Sequence, residues 1–429
     1  MKIFIEPKRN SWDELVIRPS GNDELQDTQV QSILDQVKKN GDQALKLFTE
    51  KFDGVSLKTF IVSDHEKEEA GRNMDEPLKQ AIQIAKQNIQ SFHKAQVSKK
   101  VFVETMPGVE CWQETRPIER IGIYIPGGSA PLFSTVLMLA IPAKIAGCKE
   151  IVLCSPPDAF GKINDTILYA AELCGVTKLY KVGGAQAIAA MAYGTKEIPQ
   201  VVKIFGPGNS FVTLAKMKVQ EQGVAIDMPA GPSEVLILAD ENADAEFIAI
   251  DLLSQAEHGA DSQVVLVANT KEIIDRVLVE IGNQLKELPR RELASRALEN
   301  SLGIVLAKVG DQIDFINAYA PEHLIINHQD ADRITKSIVN AGSVFIGAYS
   351  PESIGDYASG TNHTLPTSAF AKAYSGVNMD SFTKKITYQR LTKEGLQLIG
   401  PYVEIMAEAE QLMAHKLAVT KRLQKLKGK

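Results

Sequence analysis

From Ile121 onward, short runs of β-branched and other apolar residues alternate with longer segments of helical periodicity. This alternation constrains the fold more than any other feature. Strands that are apolar at nearly every position are typical of parallel sheets with helices on both faces. The predicted strands are 121–126, 150–155, 178–183, 201–206, 234–239, 262–268, 303–308 and 342–347. The sequence therefore predicts an α/β fold.

The number of predicted strands indicates more than one domain. A chain of 429 residues exceeds one ordinary hydrophobic core, so two parallel-sheet domains are expected, with the boundary near Asp240. Residues 25–120 show mainly helical periodicity and are assigned to the second group of strands, because they otherwise have no sheet on which to pack. The predicted organisation is an N-terminal arm (1–24), an α/β domain (25–120 with 240–380), an α/β domain (121–239) and a C-terminal helical arm (381–429).

Charge and composition exclude several classes of protein. The net charge is −6 and the only basic run is 421–429, which argues against a nucleic-acid-binding groove. The opening ten residues are too short and too charged for a signal peptide, and Pro142 interrupts the apolar run 132–147 before it could span a membrane. The four cysteines form no CxxC pair and are expected to be buried in a reducing compartment. A cytoplasmic protein with no membrane or nucleic-acid partner is expected.

Glycine-rich turns follow three of the predicted strands, at 125–131, 182–187 and 205–211. Each turn places backbone N–H groups at the start of a helix, where phosphates bind, although ordinary strand-to-helix turns have the same composition. No GxGxxG or Walker lysine motif is present. Three such turns on one sheet nevertheless favour a nucleotide-binding edge on an incomplete Rossmann-like domain.

Two segments combine polar groups suited to metal binding and proton transfer. In "LLSQAEHGADS" (252–262), Gln255 and His258 are three residues apart, so they share a helical face and could hold one ion. A helix end that simply meets water would have the same polarity. In "APEHLIINH" (320–328), Glu322 and His323 offer two proton acceptors near neutral pH, or alternatively form a solvated turn.

Two later segments add further polar residues. "ESIGDYASGTNHTLPT" (352–367) is glycine-rich and irregular, with Asp356 and His363 inside it, which is typical of a binding loop. "AEAEQLMAHKLAV" (407–419) is a helical segment that carries Glu410 and His415. Taken alone, His415 has the pattern of a surface histidine.

Together these segments resemble the histidinol dehydrogenase family. The motifs that carry the resemblance are YIPGG, GGAQAIAA, FGPGN, AGPSEVL, QAEHG, APEHL, GDYASGTNHTLPT and EAEQLMAHK, in the family's order. They cover most of the chain, although the first hundred residues contribute little.

The resemblance implies an activity, cofactors and a set of site residues. It implies oxidation of L-histidinol through L-histidinaldehyde to L-histidine, with two NAD⁺ used in turn and zinc in each site. The implied zinc ligands, which also contact the substrate, are Gln255, His258, Asp356 and His415. The implied catalytic pair is Glu322, which activates water, and His323, the general base, which also contacts the substrate. Further implied contacts are Ser233 and Glu410 for substrate, and Tyr124, Gln186 and Asn209 for NAD.

The resemblance also implies a homodimer in which the C-terminal segment reaches the site of the partner. His415 and Glu410 would then act in the other subunit. His363 receives no assigned role, and His65, His93 and His328 are expected to be solvated.

Two other function classes are compatible with parts of the pattern. One is a cysteine-dependent, aldehyde-dehydrogenase-like enzyme, with Cys111 or Cys148 as the nucleophile. The other is a zinc hydrolase, because zinc with a glutamate and a histidine also serves amide cleavage. A hydrolase would need no NAD, and the cysteine enzyme would lose activity on replacement of its thiol.

Overall fold

The computed structural model describes residues 1–18, 24–127, 131–229 and 231–428. The strands are β1 (Lys2–Ile5), β2 (Val101–Met106), β3 (Val109–Pro117), β4 (Arg120–Tyr124), β5 (Glu150–Ser155), β6 (Lys178–Lys181), β7 (Lys203–Phe205), β8 (Ala225–Ile226), β9 (Glu234–Ala239), β10 (Gln263–Ala268), β11 (Leu302–Val305), β12 (His323–Asn327), β13 (Ser343–Ile346) and β14 (Thr383–Leu391). The described helices do not include one that is long and apolar enough to cross a membrane.

The α-helices alternate with these strands through most of the chain. They are α1 (Trp12–Leu15), α2 (Glu24–Asn40), α3 (Asp42–Asp53), α4 (Asp64–Asn73), α5 (Glu76–Ala95), α6 (Phe133–Ala146), α7 (Asp165–Cys174), α8 (Gly184–Tyr193), α9 (Ser210–Glu221), α10 (Ala245–Ala256), α11 (Lys271–Gln284), α12 (Arg291–Glu299), α13 (Val309–Tyr319), α14 (Ala331–Thr335), α15 (Glu352–Tyr357), α16 (Lys393–Ala409) and α17 (Met413–Leu426). Short 3₁₀ turns lie at Arg9–Ser11, Leu285–Glu287, Phe370–Lys372 and Met379–Phe382.

Residues 1–96 and 118–381 form the larger of two compact units, and it contains both parallel sheets. The first sheet has five strands in the order β6-β5-β4-β7-β8, all parallel. Helix α6 is buried on nearly all sides, in agreement with a sequence that is apolar around the whole helix. The predicted α/β fold with parallel sheets is therefore confirmed.

The second sheet has six parallel strands in the order β1-β11-β10-β9-β12-β13. It includes β9, which the boundary near Asp240 assigned to the first domain. In β9, Val235 and Ile237 face a core shared with α10 and α11, whereas Leu236 and Leu238 face a core shared with α13. A strand with apolar residues on both faces fits either sheet, so its sequence does not show which sheet it joins.

The N-terminal segments also pack differently from the prediction. Part of the expected arm 1–24 is β1, which extends the six-stranded sheet by pairing with β11, while residues 19–23 lie outside the described residues. Helices α2 to α5 pack mainly on the helices of the five-stranded sheet. Leu34 of α2 and Phe48 of α3, for example, share a core with Tyr124 and Ile188. The apolar faces of these helices therefore cover the sheet that follows them in the chain.

Residues 97–117 and 382–429 form the second compact unit. It contains a three-stranded antiparallel sheet in the order β14-β3-β2, together with the paired helices α16 and α17. The C-terminal segment was expected to be helical throughout, but β14 pairs with the full length of β3. Trp112 of β3 stacks on Tyr388 of β14 with ring centroids 5.3 Å apart, which shows why a segment rich in polar residues still forms a strand.

Candidate active site

A cluster of buried polar residues lies at the amino ends of β9 and β12. These strands are neighbours, with His323 opposite Val235 in the register. Helix α10 leaves the carboxyl end of β9 and returns antiparallel to the sheet, so Gln255 in its last turn reaches the amino end. Topology thus brings together residues that are distant in the sequence, such as Glu234 and His323, which are 89 positions apart.

His323 is the first residue of β12 and is almost completely buried. Its Nδ1 lies 3.3 Å from the carbonyl oxygen of Glu234, and because a carbonyl can only accept, Nδ1 carries the hydrogen. Its Nε2 is 3.6 Å from Asp356 Oδ1 and has no hydrogen-bond partner among the described residues. In the neutral ring Nε2 is therefore the nitrogen available to accept a proton.

Three carboxylates surround the imidazole and control its charge. Nδ1 lies 3.7 Å from Glu352 Oε1 and 3.6 Å from Glu322 Oε2. Burial disfavours the imidazolium, but the carboxylates of Glu352, Glu322 and Asp356 outweigh burial and raise the pKa of His323 well above its usual value. These carboxylates therefore stabilise the imidazolium that forms when His323 accepts a proton.

Glu322 is fixed by the backbone of the neighbouring strand. Its Oε2 accepts a hydrogen bond from the Glu234 backbone N–H at 2.9 Å. Burial raises the pKa of the Glu322 carboxyl to about 8. The alternative of a solvated turn is thus excluded for this segment, because Glu322 and His323 both lie in the interior.

Glu352 belongs to the same cluster, although it received no role from the sequence. Burial raises the pKa of this carboxyl to about 8, and its Oε2 has no hydrogen-bond partner among the described residues. Glu352 begins the short helix α15, where an acidic residue is ordinary because it suits the helix dipole. The sequence therefore carries no signal that distinguishes Glu352 from an exposed acid at a helix start.

The arrangement of unpaired donor atoms fits a divalent cation. Ligand atoms of His323, Glu352 and Asp356 all lie within 4.8 Å of one another. Asp356 Oδ1 is also buried without a hydrogen-bond partner in the described chain. Buried oxygen and nitrogen acceptors without partners are costly, and a bound cation would satisfy several of them at once. The implied ligand Asp356 is in this group, which also includes two residues outside the implied ligand set.

Gln255 and His258 lie on the same side of this cluster. The Gln255 amide nitrogen donates to Glu352 Oε1, and the amide oxygen accepts a hydrogen bond from the Glu234 N–H at 2.9 Å. His258 follows α10 and reaches the surface. Partial loss of solvent around its ring lowers the pKa of His258, and the carboxylate of Asp356 offsets only part of this decrease. The neutral form of histidine, favoured here, is the form that binds metals.

His363 holds the end of α15 in place. Its Nδ1 donates to the Asp356 carbonyl oxygen at 2.8 Å, which leaves Nε2 to accept from the Thr135 hydroxyl at 3.1 Å. Thr135 is in the first turn of α6, which follows β4 of the five-stranded sheet. The contact therefore joins the amino edge of one sheet to the carboxyl edge of the other.

A proline inside α6 anchors the same loop. Pro142 has no N–H, so the Met138 carbonyl four residues earlier lacks its helical partner. Asn362 Nδ2 donates to that carbonyl at 2.7 Å and is itself buried. The interrupted helix thus supplies the acceptor that fixes the residue next to His363.

A cavity of about 820 Å³ lies at the carboxyl edge of the five-stranded sheet. Its lining includes the three implied NAD residues, Tyr124, Gln186 and Asn209. The Tyr124 hydroxyl accepts from the Gly184 N–H at 3.0 Å, and Gly184 has a φ of 62°, a conformation that favours glycine. The turns 182–187 and 205–211 follow β6 and β7 as predicted, whereas residues 128–130 of the turn 125–131 lie outside the described residues.

Two residues of the cavity have features that the sequence did not indicate. Asn209 caps α9, with Oδ1 accepting from the Val212 N–H at 3.1 Å, so it has a structural role of its own. Asp53, at the end of α3, also lines the cavity, and its Oδ2 is buried without a hydrogen-bond partner among the described residues. Burial raises the pKa of Asp53 to about 6.

The remaining implied residues occupy different places. Ser233 directly precedes β9, and its carbonyl accepts from the Gln263 N–H at 3.2 Å. Glu410 directly follows α16 and His415 lies in α17, both in the second compact unit and both exposed. The cluster at the amino ends of β9 and β12 is built from the larger unit.

The histidines expected to be solvated behave differently from one another. His65 is exposed, as expected. His93 is fully buried in α5, where its Nδ1 donates to the Ile89 carbonyl at 2.8 Å. The His328 side chain is also largely buried, and its Nδ1 accepts from the Asp330 N–H at 2.9 Å. The expectation was wrong for these two because local backbone groups satisfy the ring in the interior.

The two cysteine candidates are distant in the sequence from the motifs of the polar cluster. Cys148 is buried just after α6, and burial raises the pKa of its thiol to about 11, which opposes formation of a thiolate nucleophile. Cys111 is in the middle of β3, paired with Gln389 of β14. Cys148 therefore lacks the accessible setting of a reactive cysteine, whereas Cys111 is partly exposed.

Comparisons with known proteins identify the family. The sequence profile of a family described as histidinol dehydrogenase matches residues 17–423. A histidinol dehydrogenase from Bacteroides thetaiotaomicron is 53% identical over 429 residues and covers 100% of both chains, and one from Haemophilus influenzae is 54% identical over 414 residues with 96% of each covered. The crystal structure of histidinol dehydrogenase from Elizabethkingia anophelis superposes with a TM-score of 0.97 at 54% identity, covering 100% of this chain and 99% of that one. The chain therefore belongs to the histidinol dehydrogenase family.

Proposed function

We propose that this protein oxidises L-histidinol through L-histidinaldehyde to L-histidine, transferring one hydride to each of two NAD⁺ in the last steps of histidine biosynthesis. The observation that carries the proposal is the buried His323, whose Nε2 lacks a hydrogen-bond partner and lies beside unpaired carboxylate oxygens. Family membership supplies the alcohol that such a proton acceptor would act on.

His323 and Glu322 divide the proton transfers in this proposal. His323 Nε2 takes the hydroxyl proton of the alcohol as hydride leaves the carbon, and later takes a proton from the aldehyde hydrate. Glu322 takes a proton from the water that adds to the aldehyde. The carboxylates around His323 stabilise the imidazolium formed in each oxidation.

The cavity on the five-stranded sheet is the proposed NAD⁺ site. It is large enough for part of a dinucleotide, and it lies at the carboxyl edge of the sheet next to turns that present backbone N–H groups. NAD⁺ supplies the hydride acceptor when bound. The Thr135–His363 hydrogen bond, which joins this edge to the segment that carries Asp356, supports a cofactor site near the proposed substrate site.

The proposed zinc ligands are Gln255, His258 and Asp356, with His415 contributed by a second copy of the chain. Zinc when bound would act as a Lewis acid and would orient the imidazole and amine of histidinol. The unpaired Asp356 oxygen and the lowered pKa of His258 support this assignment. A cation at this position would also oppose protonation of His323, which keeps the base ready to accept a proton.

The decisive assay uses purified protein, L-histidinol and NAD⁺, with and without a chelator. We expect two NADH for each histidinol consumed, and loss of turnover when the metal is removed. His258→Ala should lose bound zinc and turnover while circular dichroism shows an intact fold, whereas His65→Ala, on the exposed part of α4, should retain both. Full activity after complete demetallation would exclude the metal assignment, and absence of NADH would exclude the reaction.

The same assay separates the other two function classes. A zinc hydrolase would show no NADH absorbance. A cysteine-dependent enzyme would stop at the aldehyde when Cys111 or Cys148 is replaced by alanine, whereas we expect both variants to complete both oxidations. None of the four cysteines, all of which are among the described residues, forms a disulfide, and this supports our placement of the protein in the reducing environment of the cytoplasm.

We further propose a homodimer with shared active sites, in which Glu410 and His415 act in the partner. Exposed apolar side chains of α16, the start of α17 and the turn between them support such an interface. They include Tyr402, Ile405, Met406, Leu412 and Met413. Co-refolding His415→Ala with His323→Ala should restore about a quarter of wild-type activity, because half of the dimers are hybrids and each hybrid has one intact site. Hybrid dimers that form without recovery would show that His415 acts within its own chain.

A further inference from the structure

A buried arginine from the N-terminal segment lies behind the catalytic cluster. Arg18 donates to the Glu234 carboxylate through two nitrogens, Nε to Oε2 at 2.8 Å and Nη2 to Oε1 at 2.9 Å. Its Nη2 also donates to the Tyr319 carbonyl at 2.7 Å, and the guanidinium lies 3.5 Å from the centre of the Tyr319 ring. These four contacts together require the planar fork of arginine, which lysine does not have.

Glu234 connects this arginine to Glu322 through a reciprocal pair of hydrogen bonds. The Glu234 N–H donates to Glu322 Oε2 at 2.9 Å, and the Glu322 N–H donates back to Glu234 Oε1 at 3.2 Å. Glu234 Oε1 therefore accepts from both Arg18 and Glu322. The Glu322 backbone thus bonds the carboxylate held by Arg18, while the Glu322 side chain bonds the backbone of the same residue, Glu234.

This arrangement is more than the fold needs for stability. The side chains of Arg18 and Glu234 are only 9% and 1% exposed. Burying an ion pair costs desolvation energy that apolar residues of similar size would avoid, so a buried pair is weak evidence of a stabilising role. A second buried carboxylate, Glu322, adjoins the pair, and it is the group assigned to water activation.

We propose that Arg18 and Glu234 are positioning residues for the second oxidation. Arg18 neutralises and orients Glu234, and Glu234 fixes Glu322 so that its Oε2 stays on the β9 backbone and its Oε1 faces incoming water. This inference rests on the proposed function, since it concerns the step in which water adds to the aldehyde. No described contact joins Arg18 to His323 or to the implied metal ligands, and Glu234 holds His323 only through its backbone carbonyl, so the first oxidation should depend on Arg18 less than the second.

The test compares the two oxidations in Arg18→Met. We expect histidinaldehyde oxidation to slow at least 10-fold relative to histidinol oxidation, so that NADH formed per histidinol falls from two toward one and aldehyde accumulates. The matched control is Arg9→Met, in the same N-terminal segment, where the arginine makes exposed ion pairs with Asp311 and Asp314. Arg9→Met should still form two NADH for each histidinol consumed.

A second variant distinguishes positioning from general damage to the fold. Adding Glu234→Gln to Arg18→Met removes the unpaired buried charge and keeps an oxygen that can accept from the Glu322 N–H, so the second oxidation should recover at least threefold. If Arg18→Met is insoluble, Arg18→Lys keeps the charge without the two-pronged geometry and should show the same bias toward aldehyde release.

The outcomes separate the two proposals. Wild-type protein that produces no NADH would overturn the proposed function. Wild-type protein that gives two NADH, with Arg18→Met giving the same ratio at a uniformly lower rate, would overturn the positioning role alone, because loss of folded protein lowers both oxidations equally.

Discussion

The two parallel sheets place their candidate functional residues at opposite ends of their strands. At the carboxyl ends of the five-stranded sheet, turns and helices α2 and α3 line a cavity whose side chains include several aromatic rings and amides. In the six-stranded sheet, the amino ends of β9 and β12 gather buried ionisable groups around His323. The first arrangement suits recognition of a ligand by shape, and the second suits control of proton position.

This difference predicts two classes of variant. Substitutions at the carboxyl edge of the five-stranded sheet should change the KM for NAD⁺, because they alter binding without altering proton transfer. Substitutions at the amino edge of the six-stranded sheet should change kcat, because they alter the groups that move protons. A variant at the five-stranded sheet that changes kcat alone, or one at the six-stranded sheet that changes the KM for NAD⁺ alone, would contradict this division.

The largest effect is expected for His323→Ala. Removing the buried proton acceptor should lower kcat for both oxidations by about 10³-fold, within the usual range for loss of a general base. The KM for NAD⁺ should stay within about twofold, measured by steady-state kinetics with each substrate in turn. If His323→Ala kept its kcat and changed only the KM for NAD⁺, His323 would not be the general base.

Glu322→Gln should have a large effect on one oxidation only. We expect about 10²-fold slower oxidation of histidinaldehyde and less than threefold change for histidinol, because only the aldehyde step needs activated water. The two rates can be measured separately with the two substrates. Equal losses in both would reject the division of labour between Glu322 and His323.

Gln186→Ala should have a moderate effect confined to the cofactor. Gln186 is buried in the first turn of α8 and lines the cavity, so loss of its amide should raise the KM for NAD⁺ about 10-fold with kcat nearly unchanged. Gln220→Ala, on the exposed face of α9, is the matched control. A drop in kcat with unchanged KM would show that the two edges are not separable in this way.

The smallest effect is expected for Asp53→Asn, and it concerns stability. The pKa of Asp53 is raised by burial to about 6 from an ordinary 3.8, so the folded protein binds a proton that the unfolded chain releases. Wild-type stability should therefore fall as pH rises from about 4 to 6 through this group, and the asparagine variant should be spared that loss.

Asp53→Asn should raise the free energy of unfolding by less than about 1 kcal/mol at pH 7.5, because solvent still reaches this half-buried group. Near pH 4 the folded protein keeps this carboxyl protonated, so no increase is expected there. Thermal unfolding at both pH values measures it, with Asp13→Asn on the exposed part of α1 as control. An equal gain at both pH values would show that the carboxylate charge is not the cause. Weaker NAD⁺ binding in the same variant would indicate that Asp53 is retained for the cofactor at a cost in stability.

Local patterns in the sequence predicted some features and missed others for identifiable reasons. The apolar runs predicted β5 and β9 with their observed bounds, because continuous apolar segments of this length suit buried strands. The assignment of β9 to a sheet failed because both of its faces are apolar. Pairing partners along a sheet depend on contacts between distant segments, which periodicity does not encode.

The same limit applies to the candidate site. Gln255 with His258, and Glu322 with His323, are visible as short-range combinations of polar residues. Arg18 and Glu234 are separated by 216 positions, and neither has an unusual neighbourhood in the sequence. Glu352 looks like an ordinary acid at a helix start, so only the fold shows that it is buried beside His323.

Pro142 in α6 determines which group bonds the Met138 carbonyl, a helical N–H or the side chain of Asn362. Pro142→Ala would give the helix the N–H that it lacks, and the Met138 carbonyl could then bond within its own helix, in competition with Asn362. A substitution that makes the helix more regular would thereby release the residue that precedes His363. By the ordinary scale of helix propensity alanine is the better residue at this position, so selection for a stable helix and selection for a fixed loop favour different residues there.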